Sequence, residues 1–198
     1  MQSDLENTVV FKNKNGITFT RIKKHSYKIS FELNNNNLIL PDIINVNLLE
    51  LVFMLNSDVY DYSKIVKVND KEAILINLVK PFFKDLGLPQ RFSRLKIEQT
   101  LMNDHNIQFK STTLYEEKSL DENIPTNAQL IPIELMVIDC EIKTAHSVLF
   151  TQTIIFDERL MPIMPLYMEK MIANISSKAF SRMKLFIEDM DPFQNNSF

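Results

Sequence analysis

The chain has 198 residues, 45% of them hydrophobic and 24% charged, with a net charge of −3 and a pI near 5.7. These proportions suit one substantial core and exclude the sparse, highly charged composition of a disordered chain. The mild acidity excludes a broadly basic surface for wholesale nucleic-acid binding, and a chain whose two glycines are Gly16 and Gly87 has no glycine-rich phosphate loop.

The amino-terminal stretch carries acidic residues and no signal-peptide apolar core. No apolar run approaches the roughly 18 residues that cross a bilayer. Cys140 is the lone cysteine, so no intrachain disulfide or paired-cysteine metal clasp forms. The expectation is an intracellular protein with no membrane partner, in the cytoplasm or nucleus or packaged in a virion. Asparagine, lysine and isoleucine are plentiful while glycine is scarce, which suggests the AT-rich genome of a virus or parasite.

In chain order, Asn15-Gly16 predicts a type I′ turn joining strands at 9–11 and 17–22, because both central positions of that turn need positive φ. Residues 27–33 alternate, with Tyr27, Ile29, Phe31 and Leu33 on one face and Lys28, Ser30 and Glu32 on the other. The four asparagines that follow read as a hairpin turn into a short strand at 38–40, ended by Pro41. Leu48, Leu49, Val52, Phe53 and Leu55 predict a short helix. Asn69-Asp70 would cap a second one, carrying Ile74, Leu75, Leu78, Val79, Phe82 and Phe83, broken near Pro81 and closed by Gly87. A strand at 65–68 could lie between them.

Strands are then expected at 92–101 and 107–115, followed by a polar loop over 116–127. Residues 130–142 are apolar on both faces, as in a central strand, and 148–156 return from a turn at 143–146. The clearest helix follows, with Met168, Met171, Ile172, Ile175, Ala179, Met183, Phe186 and Met190 as its apolar stripe and Glu169 among the polar residues off it. The sum is an α+β fold: a largely antiparallel sheet covered by helices, with a long C-terminal amphipathic helix. A single domain over 1–190 is expected, with a ββα pseudo-repeat over 8–88 and 89–190 and a frayed tail at 191–198.

Chemistry is thin. His25, His105 and His146 fall at separate turns without metal-ligand spacing, and Cys140 sits in an apolar strand where a structural thiol is expected. The acidic pairs Asp58/Asp61 and Glu116/Glu117 lie in polar connections, where solvated charge is the default. No catalytic residue, cofactor site or metal site is assigned, and the chain reads as a non-enzyme.

Two groups remain. Met161, Met164, Met168 and Met171 surround the start of the long helix, and flexible thioethers suit adaptable protein-binding surfaces. Arg21, Lys23 and Lys24, with Arg91, Arg94 and Lys96, mix cations with apolar residues and could position phosphates.

Residues 84–97, KDLGLPQRFSRLKI, resemble the inter-repeat junction of TATA-binding proteins, where a helix ends and a sheet strand begins. That family also repeats strands followed by a covering helix. Its glycine-rich hairpins and paired phenylalanines, which pry open the minor groove, have no counterpart here, so no DNA-contacting residue transfers. The expected function is a non-catalytic interaction or assembly subunit with protein partners or self-assembly. The alternative is a divergent TATA-binding-like transcription factor laying its sheet on DNA, and a small metal-dependent enzyme is a third reading.

Overall fold

A computed structural model describes residues 8–82, 87–115, 121–160 and 165–191. Among these, ten strands form one sheet and three helices accompany it. The strands are β1 (Val9–Lys14), β2 (Ile17–Lys23), β3 (Ser26–Asn34), β4 (Tyr60–Lys67), β5 (Glu72–Val79), β6 (Arg91–Asn103), β7 (Asn106–Thr113), β8 (Gln129–Leu130), β9 (Ile133–Thr144) and β10 (Ser147–Phe156). The helices are α1 (Leu40–Ile43), α2 (Val46–Met54) and α3 (Leu166–Glu188).

The sheet order is β1-β2-β3-β10-β9-β7-β6-β5-β4, antiparallel at every step, with β8 added parallel to the start of β6. The Asn15-Gly16 turn forms as expected, with φ of 55° and 73°, and sets Lys14 opposite Ile17. Alternation decides which face of each strand is buried. In β3, Tyr27, Ile29, Phe31 and Leu33 turn inward, and β10 matches them in register with Ile154, Gln152, Phe150 and Val148.

Two expected elements are corrected. The predicted helix after Asn69-Asp70 is the strand β5. Asn69 Oδ1 accepts hydrogen bonds from the amides of Lys71 and Glu72, which makes a tight turn from β4 rather than a helix cap. The run looked helical because β5 is buried on both faces. Ala73 and Leu75 enter the main core, while Leu78 joins Phe92 and Ala128 in a second cluster, which erases the two-residue period. Phe83, counted toward that helix, lies outside the described residues.

The second correction concerns the asparagine run. Residues 38–40 form no strand, and β3 pairs instead with β2 and β10. The run turns the chain into α1, whose Leu40 is fully buried. Helix α2 then starts from Asn45, whose side chain accepts the Asn47 amide at 2.8 Å.

Helix α3 crosses the inner face of the sheet. Its buried residues are Glu169, Ala173, Ser177, Ala179, Met183 and Ile187. The stripe is rotated from the predicted one: Glu169 is buried and Phe186 is exposed. The predicted pattern followed the largest apolar side chains, whereas the buried face also takes the small residues Ala173, Ser177 and Ala179 beside Met183 and Ile187.

Candidate functional site

Helix α3 is fastened at both ends and carries small side chains between. At its first turn the Glu169 carboxylate, 5% exposed, accepts the Tyr27 hydroxyl at 2.6 Å and Arg21 Nη1 at 2.9 Å. Burial, and then the adjoining Glu169 carboxylate, push the Tyr27 hydroxyl well above the ordinary phenol value, so it stays a donor. Arg21 also lies 5.7 Å from the centre of the Phe11 ring.

The far end is held by Asn35. Its Nδ2 donates to the carbonyls of Ile187 at 2.6 Å and Met190 at 2.8 Å, while its Oδ1 accepts the amides of Asn37 and Leu38. The asparagine run is therefore a C-terminal cap for α3 as well as a turn. Lys184 adds a bond to the Glu32 carbonyl and pairs with Glu188. On its flank α3 meets α2 through fully buried Asn56, which donates to the Ala179 carbonyl and accepts from Arg182. Arg182 and Lys178 both pair with Asp58 and hold its carboxyl well below the usual range.

Between these anchors lies the seam of interest. Phe180 of α3 packs on Phe31 and Phe150, with centroids 5.5 and 5.9 Å away. One and two turns nearer the helix start are the buried Ser177 and Ala173, and on β10 Gln152 stands between Phe150 and Ile154 on the inward face. The Gln152 amide donates to the Met136 thioether at 2.9 Å, and Met136 stands opposite Ser111 in the register of β9 and β7. Ser111, Gln152 and Ser177 are each more than nine-tenths buried. Ser111 Oγ, Gln152 Oε1 and Ser177 Oγ have no hydrogen-bond partner. Their surroundings are apolar: Ile29, Phe109, Ile138 and Ile97 are all buried. Such unsatisfied groups are rare in a core, because each costs free energy when removed from water.

A separate open cleft of about 250 Å³ lies between α2 and β4, lined by Phe53, Met54, Tyr60 and Ile65 with Glu50 and Asp61 at its rim. None of the unpartnered buried atoms lies in it, so the seam under α3 is the stronger site.

The residues singled out by sequence are dispersed. Met168 and Met171 sit half-buried on the first turns of α3, while Met161 and Met164 lie outside the described residues. Lys23 and Lys24 are exposed at the β2–β3 turn, and Arg21 is engaged by Glu169. Arg91, Arg94 and Lys96 lie on β6, where Lys96 pairs with Glu72 and Glu98. Five inter-strand steps, about 24 Å, separate the two basic strands. The residues that build the seam, Ser111, Gln152 and Ser177, were not singled out. Their one sequence signal was a polar residue at an inward position of an alternating strand, and on α3 no signal separated Ser177 from a solvent-facing serine.

No family model matches this sequence, and no curated protein matches it. Solved structures do. The lipid transfer and protein localization domain of human StarD13 (DLC2) superposes with a TM-score of 0.65 at 11% identity, over 93% of this chain and 91% of that one. A STAR-related lipid transfer protein from Xanthomonas axonopodis gives 0.63 at 12% identity, over 92% and 99%. Human StAR-related lipid transfer protein 5 gives 0.60 at 11%, over 94% and 86%. The chain has the fold of STAR-related lipid transfer domains.

That fold overturns the expected functions. A TATA-binding-like protein needs an open concave sheet to straddle DNA. Here the inward residues of that face, such as Leu95 and Ile97 of the resembling segment, are core, and α3 packs on β1, β2 and β3. Among the described residues the opposite face carries mixed charge, as in the Lys96–Glu98 and Lys143–Glu141 pairs, which offset the positive charge that phosphates need. The reading as a non-catalytic assembly subunit is likewise replaced, because the fold is that of lipid transfer domains. The viral setting also falls: composition reports codon bias, and the fold is one found in human and bacterial proteins. No described helix is long and apolar enough to cross a membrane.

Proposed function

We propose that this protein binds a single lipid-class molecule between the inner face of the sheet and α3. The observation that carries this reading is the likeness in fold, over more than nine-tenths of this chain, to domains named for lipid transfer. The seam supports it. Its neighbours are apolar, and α3 turns the small residues Ala173 and Ser177 to its buried side. The protein acts by binding, without covalent chemistry. Cys140, the one thiol, is buried, and burial and then Asp139 push it up to about 12, which suits packing and not nucleophilic attack.

The test is to incubate purified protein with vesicles of mixed lipid composition, re-isolate it by gel filtration and identify extracted lipid by mass spectrometry. Near-stoichiometric retention of one lipid class is expected, and Ala173→Phe, which adds bulk on the buried side of α3, should reduce it in protein whose circular dichroism is native. Retention of no lipid from any mixture would overturn the proposal.

A further inference from the structure

The cleft between α2 and β4 is built from one short run of chain. Every residue that lines it falls within 50–65, so it shares no residue with α3 or with the seam. The Asn56 carbonyl makes the return, accepting the amides of Val59 and Tyr60 at 2.9 and 3.2 Å and folding the end of α2 back beside the start of β4. That return sets Phe53 and Tyr60 edge to face, with ring centroids 5.0 Å apart at 84°. Met54, which also lines the cleft, is left 72% exposed.

The charged side chains that line the cleft, Glu50 and Asp61, are both acidic. Asp61 is partly matched, since it accepts Gln90 Nε2 at 2.8 Å and lies 3.8 Å from Lys80 Nζ. Glu50 is exposed and has no ion pair among the described residues. Other cations of this region are engaged by carboxylates that do not line the cleft, Lys178 and Arg182 by Asp58 and Lys64 by Asp121. Burial pushes the Tyr60 hydroxyl up to about 12, so that ring stays neutral at physiological pH. Aromatic rings beside carboxylates attract a cation twice, through the ring quadrupole and through Coulomb attraction, and repel an anion. A volume of about 250 Å³, bounded by one local stretch of chain, suits a compact body and not an extended segment.

We propose that this cleft is a second binding site, for a small organic amine whose ammonium group meets Glu50 and Asp61 and whose apolar body lies against Phe53, Tyr60 and Met54. The site stands independently of the lipid reading.

Three probes of similar shape separate charge from apolar contact: phenethylamine, 2-phenylethanol and phenylacetate. Each is titrated into the full chain and followed by NMR at the backbone amides of residues 50–65. Saturable shifts are expected there, with phenethylamine bound about fivefold or more tighter than 2-phenylethanol, and phenylacetate weakest. Glu50→Gln alters an exposed side chain without an ion pair, so the fold stays intact. It should bring phenethylamine to within about twofold of 2-phenylethanol. Rising salt should narrow the same gap in the unaltered chain. Equal affinity for amine and alcohol, tighter binding of phenylacetate, full amine affinity in Glu50→Gln, or no saturable shift in this stretch would each overturn the proposal. Tighter binding of a glycine-flanked lysine tripeptide than of phenethylamine would overturn the choice of a small amine, in favour of a lysine on a partner protein.

Discussion

Asn35 shows how much one side chain settles. It is 4% exposed and its amide spends every polar atom, donating to α3 carbonyls and accepting from the loop that leads into α1. Asn35→Ala would leave the Ile187 and Met190 carbonyls without that donor and two loop amides without their acceptor. A loss of about 2–3 kcal/mol in chemical denaturation is expected. Asn36→Ala, one residue on and exposed, should be near neutral. Glu169 is the equivalent at the other end of α3. Glu169→Ala strands Arg21 and the Tyr27 hydroxyl and should cost about 2–4 kcal/mol. Cys140 gives a chemical check on the core: in native protein it should resist Ellman's reagent, and it should react fully in denaturant.

Helix α3 has a composition that makes sense only in place. Isolated, it would be graded by its large apolar residues, yet those at Leu185 and Phe186 are exposed while Ala173 and Ser177 are buried. Its hold on the rest is polar at both ends and at the α2 contact, where Asp58 bridges Arg182 and Lys178. The two cations hold the folded-state carboxyl of Asp58 below its unfolded value. Its contribution is therefore fully present above about pH 4, the ordinary carboxylate range. It is lost as pH falls through the folded value. Asp58→Asn should flatten the acid limb of stability against pH, by less than about 1 kcal/mol because the group is 46% exposed and screened.

At the scale of the molecule, the proposed binding between the sheet and α3 should be visible in stability. A ligand at a hundred times its dissociation constant adds about 2.7 kcal/mol. For a chain of this size that corresponds to a rise of about 5–10 °C in melting temperature. Scanning calorimetry of lipid-free protein against protein re-isolated from vesicles would show it, and an unchanged transition would argue against binding in the interior.

Local order decided most of what could be read from residues alone. Asn15-Gly16 made a hairpin because its backbone conformation is a property of the two residues themselves. The alternation in β3, the apolar run of β9 and the period of α3 likewise announced a largely antiparallel sheet and a long C-terminal helix. Tertiary structure decided the rest. Strand β5 lost its alternation because two separate cores cover it, and the asparagine run became a cap only because α3 ends beside it, about 150 residues later. The seam has the same origin. Ser111, Gln152 and Ser177 are ordinary polar residues on three elements, and what sets them apart is that each is buried with an unpartnered oxygen, a condition no local pattern encodes.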